Sequence, residues 1–285
     1  MTDARRTPAN DRVVAARLKQ SYPDLASVDG TTMTVIAPVV DLLRRPDGPR
    51  DRQLLLGADV TVYEDRNDWA YVQSAADDYV GYVSRAALAE RDAPATHMVC
   101  TAATHAYRDA NMKSPDLCGL SFGARVRVLG QTDRFAETDQ GFIPAHHLRP
   151  LDAYSADPVT VAELFLGTPY LWGGNSRSGI DCSGLVQAAM LASGIDCPGD
   201  SDQQEQELGE PLPLGNTPVP ADLRRGDILF WKGHVAMMRD SETMIHANAY
   251  HMAVALEPVT GAVSRIMEQG DGPITGHRRL PLTTG

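Results

Sequence analysis

The run from Thr168 to Gly184, TPYLWGGNSRSGIDCSG, limits what this chain can fold into more than any other stretch. Gly173, Gly174 and Gly179 make it an irregular loop, and it leads into Leu185, Val186, Ala189 and Met190. Their spacing predicts a helix that ends before Gly194. Cys182 therefore falls at a helix N-terminus, where unpaired backbone N–H groups and the positive end of the dipole favour a thiolate, the form a cysteine nucleophile needs. The other reading of such a cysteine is a small buried hydrophobe.

Two histidines downstream bear on that choice. His234 follows Gly233 at the head of HVAMM and His246 lies inside TMIHANA, so each is expected on a strand. Adjacent antiparallel strands would bring the rings together, giving a nucleophile on a helix end, a base on one strand and an orienting group on its neighbour. His251 is the rival for the third role. On a regular strand, positions 246 and 251 point to opposite faces, so only one of them can meet His234. His97, His105, His146, His147 and His277 are assigned to surface or packing.

At 285 residues the chain is long enough for two or three domains. From about Thr32 to Ala89, short β-type runs alternate with turn residues, which predicts a small barrel. A second stretch, from about Met98 to Leu151, repeats the design: LLLGADVTVYEDRNDWAYV aligns with LSFGARVRVLGQTDRFAET. Residues from Ala4 to Leu25 are expected as an arm of one or two short helices broken at Pro23. VTVAELFLG predicts a short helix leading into the glycine loop, and the polar segment from Pro198 to Leu223 reads as a long loop that shapes one wall of a cleft.

The net charge of −11 argues against nucleic acid or an anionic membrane surface as a partner. No apolar run is long enough for a signal-peptide core or a membrane span, so a cytoplasmic protein is expected. Cys100, Cys118, Cys182 and Cys197 show neither CxxC nor zinc-like spacing, so free thiols and no metal or other cofactor are expected. Cys197 reads as structural.

YLWGG, then DCSG opening a helix, then RRGDILFW, GHVAM and MIHANA, in that order, resemble the NlpC/P60 family of cysteine peptidases over roughly residues 155 to 283. The two repeated barrels resemble bacterial SH3 domains. The resemblance implies an α+β, papain-like NlpC/P60 catalytic domain (153–285) preceded by two small all-β SH3-like barrels (31–92 and 93–152) and the arm (1–30). It also implies a monomeric peptidase that cleaves between γ-D-glutamate and a diamino acid, meso-diaminopimelate or lysine, in short murein peptides with a free N-terminal L-alanine, for murein recycling.

On this reading Cys182, His234 and His246 form the catalytic triad. His234 either takes the thiol proton or keeps a thiolate–imidazolium pair. Tyr170 lies by the nucleophile as an oxyanion donor, or is a loop aromatic packed on the core. Asp181 and Ser183 contact the acidic D-amino acid, chiefly through Ser183, or simply cap the helix. Asp200 and Ser201 hold the amino end and the carboxylate, or are solvated loop residues. Tyr79, in the glycine-aromatic turn of the first barrel, matches a residue that binds the alanine amine. At Ala58 the chain departs from relatives that carry a glutamate there to pair with that amine. An amidase or acyltransferase on the same scaffold, and an inert peptide-binding protein built on the barrels, are the alternatives.

Overall fold

The computed structural model describes residues 3–280; residues 1–2 of the expected arm and 281–285 of the expected catalytic domain lie outside this range. The chain divides into two compact units between Ala153 and Tyr154.

In the N-terminal unit the arm departs from the expected α-helices. It makes 3-10 turns at Ala4–Arg6 and Ala16–Ser21, while Val13–Ala15 pairs in parallel with Ala26–Val28. The segments between Pro8, the Val13–Val14 pair and Pro23 are too short to nucleate a helix, and β-branched Val13 and Val14 favour the extended form. Arg12 grips Glu64 through Nε and Nη2 (2.6 and 2.7 Å), and the Tyr71 hydroxyl donates to the Ala9 carbonyl.

Behind the arm stands a seven-stranded sheet whose neighbours run Arg50–Leu55, Val39–Leu43, Val80–Ser84, Trp69–Ser74, Asp59–Arg66, Thr31–Val35 and Leu88–Ala89. Its core is aliphatic, with Val35, Leu42, Val60, Val72 and Val83 buried together. The following stretch forms a five-stranded and a three-stranded sheet around Val99, Ala106, Leu120, Val126 and Ile143. Each stretch ends in a 3-10 turn followed by a short strand, Arg85–Ala87 before Leu88 and Ala145–His147 before Leu148.

The C-terminal unit is a mixed α/β structure built on a six-stranded antiparallel sheet in the order Glu210–Pro211, Gly276–Arg279, Ile228–Trp231, His234–Met238, Thr243–Asn248, Ala253–Pro258. Four helices accompany it: α1 (Pro158–Glu163), α2 (Cys182–Ala192), α3 (Ser201–Glu207) and α4 (Val259–Gln269). Strand alternation explains how α4 is used. Leu229, Trp231, Ala236, Met238 and Met244 project to one face and pack with Val259, Ala262, Val263 and Ile266, which fall at i, i+3, i+4 and i+7 of α4. Helix α2 lies against the strands that carry the two histidines.

The segment from Pro198 to Leu223 is not one long loop. Its Gln- and Glu-rich start forms α3, and Glu210–Pro211 adds to the sheet edge. Gln and Glu are good helix formers, and buried Gln204 anchors the helix by donating to the Pro198 carbonyl. Among the described residues, no helix is long and apolar enough to cross a membrane.

A charge cluster around buried Asp227 lies toward the Glu210–Pro211 edge of the sheet. Asp227 accepts from His277 Nε2 (2.9 Å) and from Arg279 Nε and Nη2 (2.8 and 2.7 Å). His277 is thus a buried partner of a carboxylate and not a surface residue. Burial alone would raise the Asp227 carboxyl, but the donors from Arg279 and His277 outweigh it and hold the group at about 2. A depressed folded value means stability that is present above the unfolded value near 4 and lost as pH falls toward 2. Asp227→Ala is expected to cost about 3 kcal/mol in urea unfolding at pH 7, since it takes a buried hydrogen-bonded carboxylate away from the buried His277 ring and the half-buried Arg279. The deficit should shrink as both proteins are taken from pH 4 toward pH 2.

Candidate active site

Asp181 is the N-cap of α2, and it makes two connections. Its Oδ1 accepts from the Gly184 N–H at 2.7 Å and from the Ser183 hydroxyl at 3.1 Å, while Oδ2 accepts from the Gly173 N–H at 2.8 Å. The carboxylate thereby ties the glycine loop to the start of the helix. Glycine is required for this closeness: a Cβ on Gly174 would lie 2.5 Å from the Gly179 carbonyl oxygen, and one on Gly184 2.6 Å from that of Gly174. Tyr170 is drawn in by the bridge to Ile180.

Cys182 is the first residue of α2, 7% exposed, and its sulfur accepts from the Val235 backbone N–H. Val235 is next to His234. The strand His234–Met238 starts after the turn at Gly233 (φ 77°), which lets the chain reverse directly after Trp231. Its pairing with Thr243–Asn248 places Met237 opposite Ile245 and Met238 opposite Met244. Positions 234 and 246 are even steps from 238 and 244, so both rings stand on one face. His234 Nε2 lies 2.9 Å from His246 Nδ1.

The next strand adds a residue that the motifs do not contain. Met244 faces Glu257 and His246 faces Ala255 across the ladder, so Glu257 is a same-face diagonal neighbour of His246. Its Oε2 lies 2.9 Å from His246 Nε2 and accepts from Arg265 Nη2 at 2.7 Å; Oε1 accepts from Arg265 Nε at 3.1 Å. Arg265 also donates to Gln269 and lies over the Tyr250 ring, 4.4 Å from its centroid. No sequence signal marks Glu257, because ALEPV reads as an ordinary strand end. Only the register of the two strands Thr243–Asn248 and Ala253–Pro258 brings it to His246. His251 corrects the opposite-face expectation: the strand stops at Asn248, the chain turns through Met252 (φ 49°), and His251 Nδ1 comes back to 3.8 Å from the same Glu257 oxygen.

Ser183 is buried and its carbonyl accepts from Gln204 Nε2 at 2.9 Å. Through Gln204 the DCSG turn is coupled to α3, at whose start Asp200 and Ser201 stand. Gln204 is a second residue that the motifs did not indicate. Tyr79 belongs to the N-terminal unit, buried in its first sheet's core beside Arg52, and Ala58 packs against that same core. The structure thus groups Cys182, His234, His246, Tyr170, Asp181 and Ser183 around one helix end, with Asp200 and Ser201 one helix away.

Burial sets the resting protonation. It pushes the Cys182 thiol up to about 12, with Asp181 adding to the shift, and it pushes the His234 imidazole down to about 3, with His246 and Arg265 adding. The thiolate that the helix end would favour is therefore not the resting form, because desolvation outweighs the helix-end donors. Burial likewise raises the Tyr170 phenol, with Cys182 and Asp181 as the charges that add to it, so its O–H remains a donor. Burial thus drives the thiol and the imidazole, each taken singly, toward their neutral forms.

Residues 167–267 match the NlpC/P60 family, and residues 42–88 match the bacterial dipeptidyl-peptidase SH3 domain. The chain thus carries an NlpC/P60 peptidase domain that follows an SH3 domain. It is similar to Dipeptidyl-peptidase 6 of Lysinibacillus sphaericus, 27% identical over 244 residues, covering 75% of this chain and 86% of that protein. It is also similar to the gamma-D-glutamyl-L-lysine dipeptidyl-peptidase of Bacillus subtilis strain 168, 27% identical over 221 residues, covering 68% and 71%. An NlpC/P60 family protein from Bacillus cereus ATCC 10987 shares the fold, with a TM-score of 0.73 at 21% identity, over 88% of this chain and 100% of that one.

A neutral resting pair has a spectroscopic signature. The difference in thiolate ultraviolet absorbance between wild type and Cys182→Ala should be absent from pH 5 to pH 9. A thiolate band already present at pH 7 would mean a preformed thiolate–imidazolium pair.

Proposed function

We propose that this chain is a cysteine endopeptidase that hydrolyses the bond between γ-D-glutamate and a diamino acid in short cell-wall peptides, acting in murein recycling. The observation that carries the proposal is a helix-end thiol bonded to the backbone N–H of Val235, the neighbour of His234, whose ring lies 2.9 Å from that of His246. The substrate class is supported by the names of the dipeptidyl-peptidase relatives. Residues 31–92 and 93–152 are proposed as two SH3-like modules, and residues 153–285 as the catalytic domain.

In the proposed reaction His234 takes the Cys182 proton as the sulfur attacks the γ-glutamyl carbonyl. With burial driving both groups toward neutral, the proton passes from Cys182 to His234 within the catalytic cycle. The oxyanion that forms meets the Tyr170 O–H and the helix-end N–H of Cys182, each such donor being worth on the order of 3 kcal/mol. His234 then protonates the departing amine of the diamino acid. Water, deprotonated by His234, cleaves the thioester and releases the L-Ala-γ-D-Glu part.

Asp181 is proposed to act by shaping the turn, since both its oxygens hold backbone N–H groups. Ser183 is the proposed contact to the D-glutamate. At the start of α3, Asp200 is the proposed partner of the alanine amine and Ser201 of the carboxylate.

The test is hydrolysis of L-Ala-γ-D-Glu-L-Lys and L-Ala-γ-D-Glu-meso-diaminopimelate by wild type and Cys182→Ala. At least one peptide should be cut to L-Ala-γ-D-Glu, with kcat/KM lowered on the order of a thousandfold or more in the variant. The N-acetylated peptide should be cut more slowly than the free one. Failure of the wild type on both free peptides would remove this substrate class.

A further inference from the structure

The same-face line of His234, His246, Glu257 and Arg265 carries a conclusion that rests on the peptidase reading but goes past its triad. Arg265 can only donate hydrogen bonds, and an ionised carboxylate can only accept them. Arg265 holds Glu257 through both of its carboxylate oxygens, at 3.1 and 2.7 Å. Burial alone would raise the Glu257 carboxyl, but the donors from His246 and Arg265 keep it at about 2, so it is ionised at neutral pH. The proton on the 2.9 Å contact between His246 Nε2 and Glu257 Oε2 therefore belongs to His246.

The remaining assignments follow in sequence. Burial keeps His246 neutral against the pull of Glu257, and Arg265 already balances the carboxylate charge. A neutral imidazole with its proton on Nε2 has a bare Nδ1, which is the atom 2.9 Å from His234 Nε2. That contact requires His234 to supply the proton from Nε2. A neutral His234 protonated there has a bare Nδ1, the lone pair a general base needs.

The opposite polarity would disable the site. With the His246 proton on Nδ1, or with both nitrogens protonated, His234 Nε2 would have to accept, and its own proton would sit on Nδ1. His234 could then not take a proton through that atom. We propose that Glu257, held by Arg265, is the positioning residue that sets the tautomers of both histidines and so makes His234 a base toward Cys182. No proton reaches Glu257 during turnover. When His234 Nδ1 gains the thiol proton, its Nε2–H still donates to His246 and the polarity of the line is unchanged.

A competing account is that Glu257 only fastens α4 to the sheet. That role would show in stability and leave ring protonation alone. The experiment is long-range ¹H–¹⁵N NMR of the full-length, ¹⁵N-histidine-labelled protein at pH 7, with His234 and His246 assigned through single His→Gln variants. Both rings are expected as the Nε2–H tautomer in the wild type. Nδ1–H or a doubly protonated ring at His246 overturns the proposal, and this reading needs no Glu257 variant to fold.

In Glu257→Gln the amide can donate as well as accept, so His234 should show a mixture of tautomers. Peptide kcat and Cys182 alkylation at pH 8 should both fall on the order of a hundredfold, with KM little changed. That loss is smaller than the roughly 10⁴ found when a carboxylate bonded directly to the catalytic base is neutralised. Glu257→Asp should restore the Nε2–H tautomer and part of the rate. Unchanged tautomers and kcat in Glu257→Gln, with only a lower Tm, would leave Glu257 a fastening residue and overturn the proposal. Correct tautomers in a wild type that cuts neither peptide would uphold the positioning role and remove only the substrate assignment.

Discussion

Asp181 is the interaction on which the site depends. One carboxylate satisfies an orphan N–H of α2 and an N–H of the glycine loop, so the helix that presents Cys182 and the loop that presents Tyr170 cannot move independently. It does this immediately before Cys182, the proposed nucleophile, where a negative charge also opposes a thiolate. The arrangement therefore gains geometry at a cost in ground-state nucleophilicity. A site of this kind must make its nucleophile during the reaction, and a base of the correct tautomer then matters more than a preformed ion pair.

The C-terminal unit manages its buried charges by one rule applied twice. Asp227 meets His277 and Arg279 toward one edge of the sheet, and Glu257 meets His246 and Arg265 toward the other edge. In each case an arginine neutralises the carboxylate, and a histidine ring takes up a remaining acceptor site. Buried carboxylates without such partners would be protonated or expelled. The first cluster fastens the strand Gly276–Arg279, whereas the second extends a line of hydrogen bonds that ends at His234, the proposed base.

The sequence made some of this legible and not the rest, for physical reasons. Helix α2 announces itself through apolar spacing between a glycine loop and Gly194, and the strands of His234 and His246 through short apolar runs after turn residues. These are local signals. Glu257 and Gln204 were invisible because their importance arises from strand register and helix docking, which join positions 11 and 21 residues away. Helix α3 was masked by flanking Pro, Gly and Asp, whose turn tendency outweighed a short Gln- and Glu-rich centre. His251 was misplaced by extending a strand through residues that turn. The resting ionisation of Cys182 stayed open in the sequence because a helix-end position can be read there and depth of burial cannot.

The glycines of the loop have an implication for how such a chain can change. Gly174 lies against both Gly179 and Gly184, so that a single methyl group on Gly174 or Gly184 would collide with backbone. Loop and helix end are consequently one block with no room for side-chain variety at its joints. New preferences for one peptide over another have to be written in the surrounding walls, while the block keeps the nucleophile where any of them would need it.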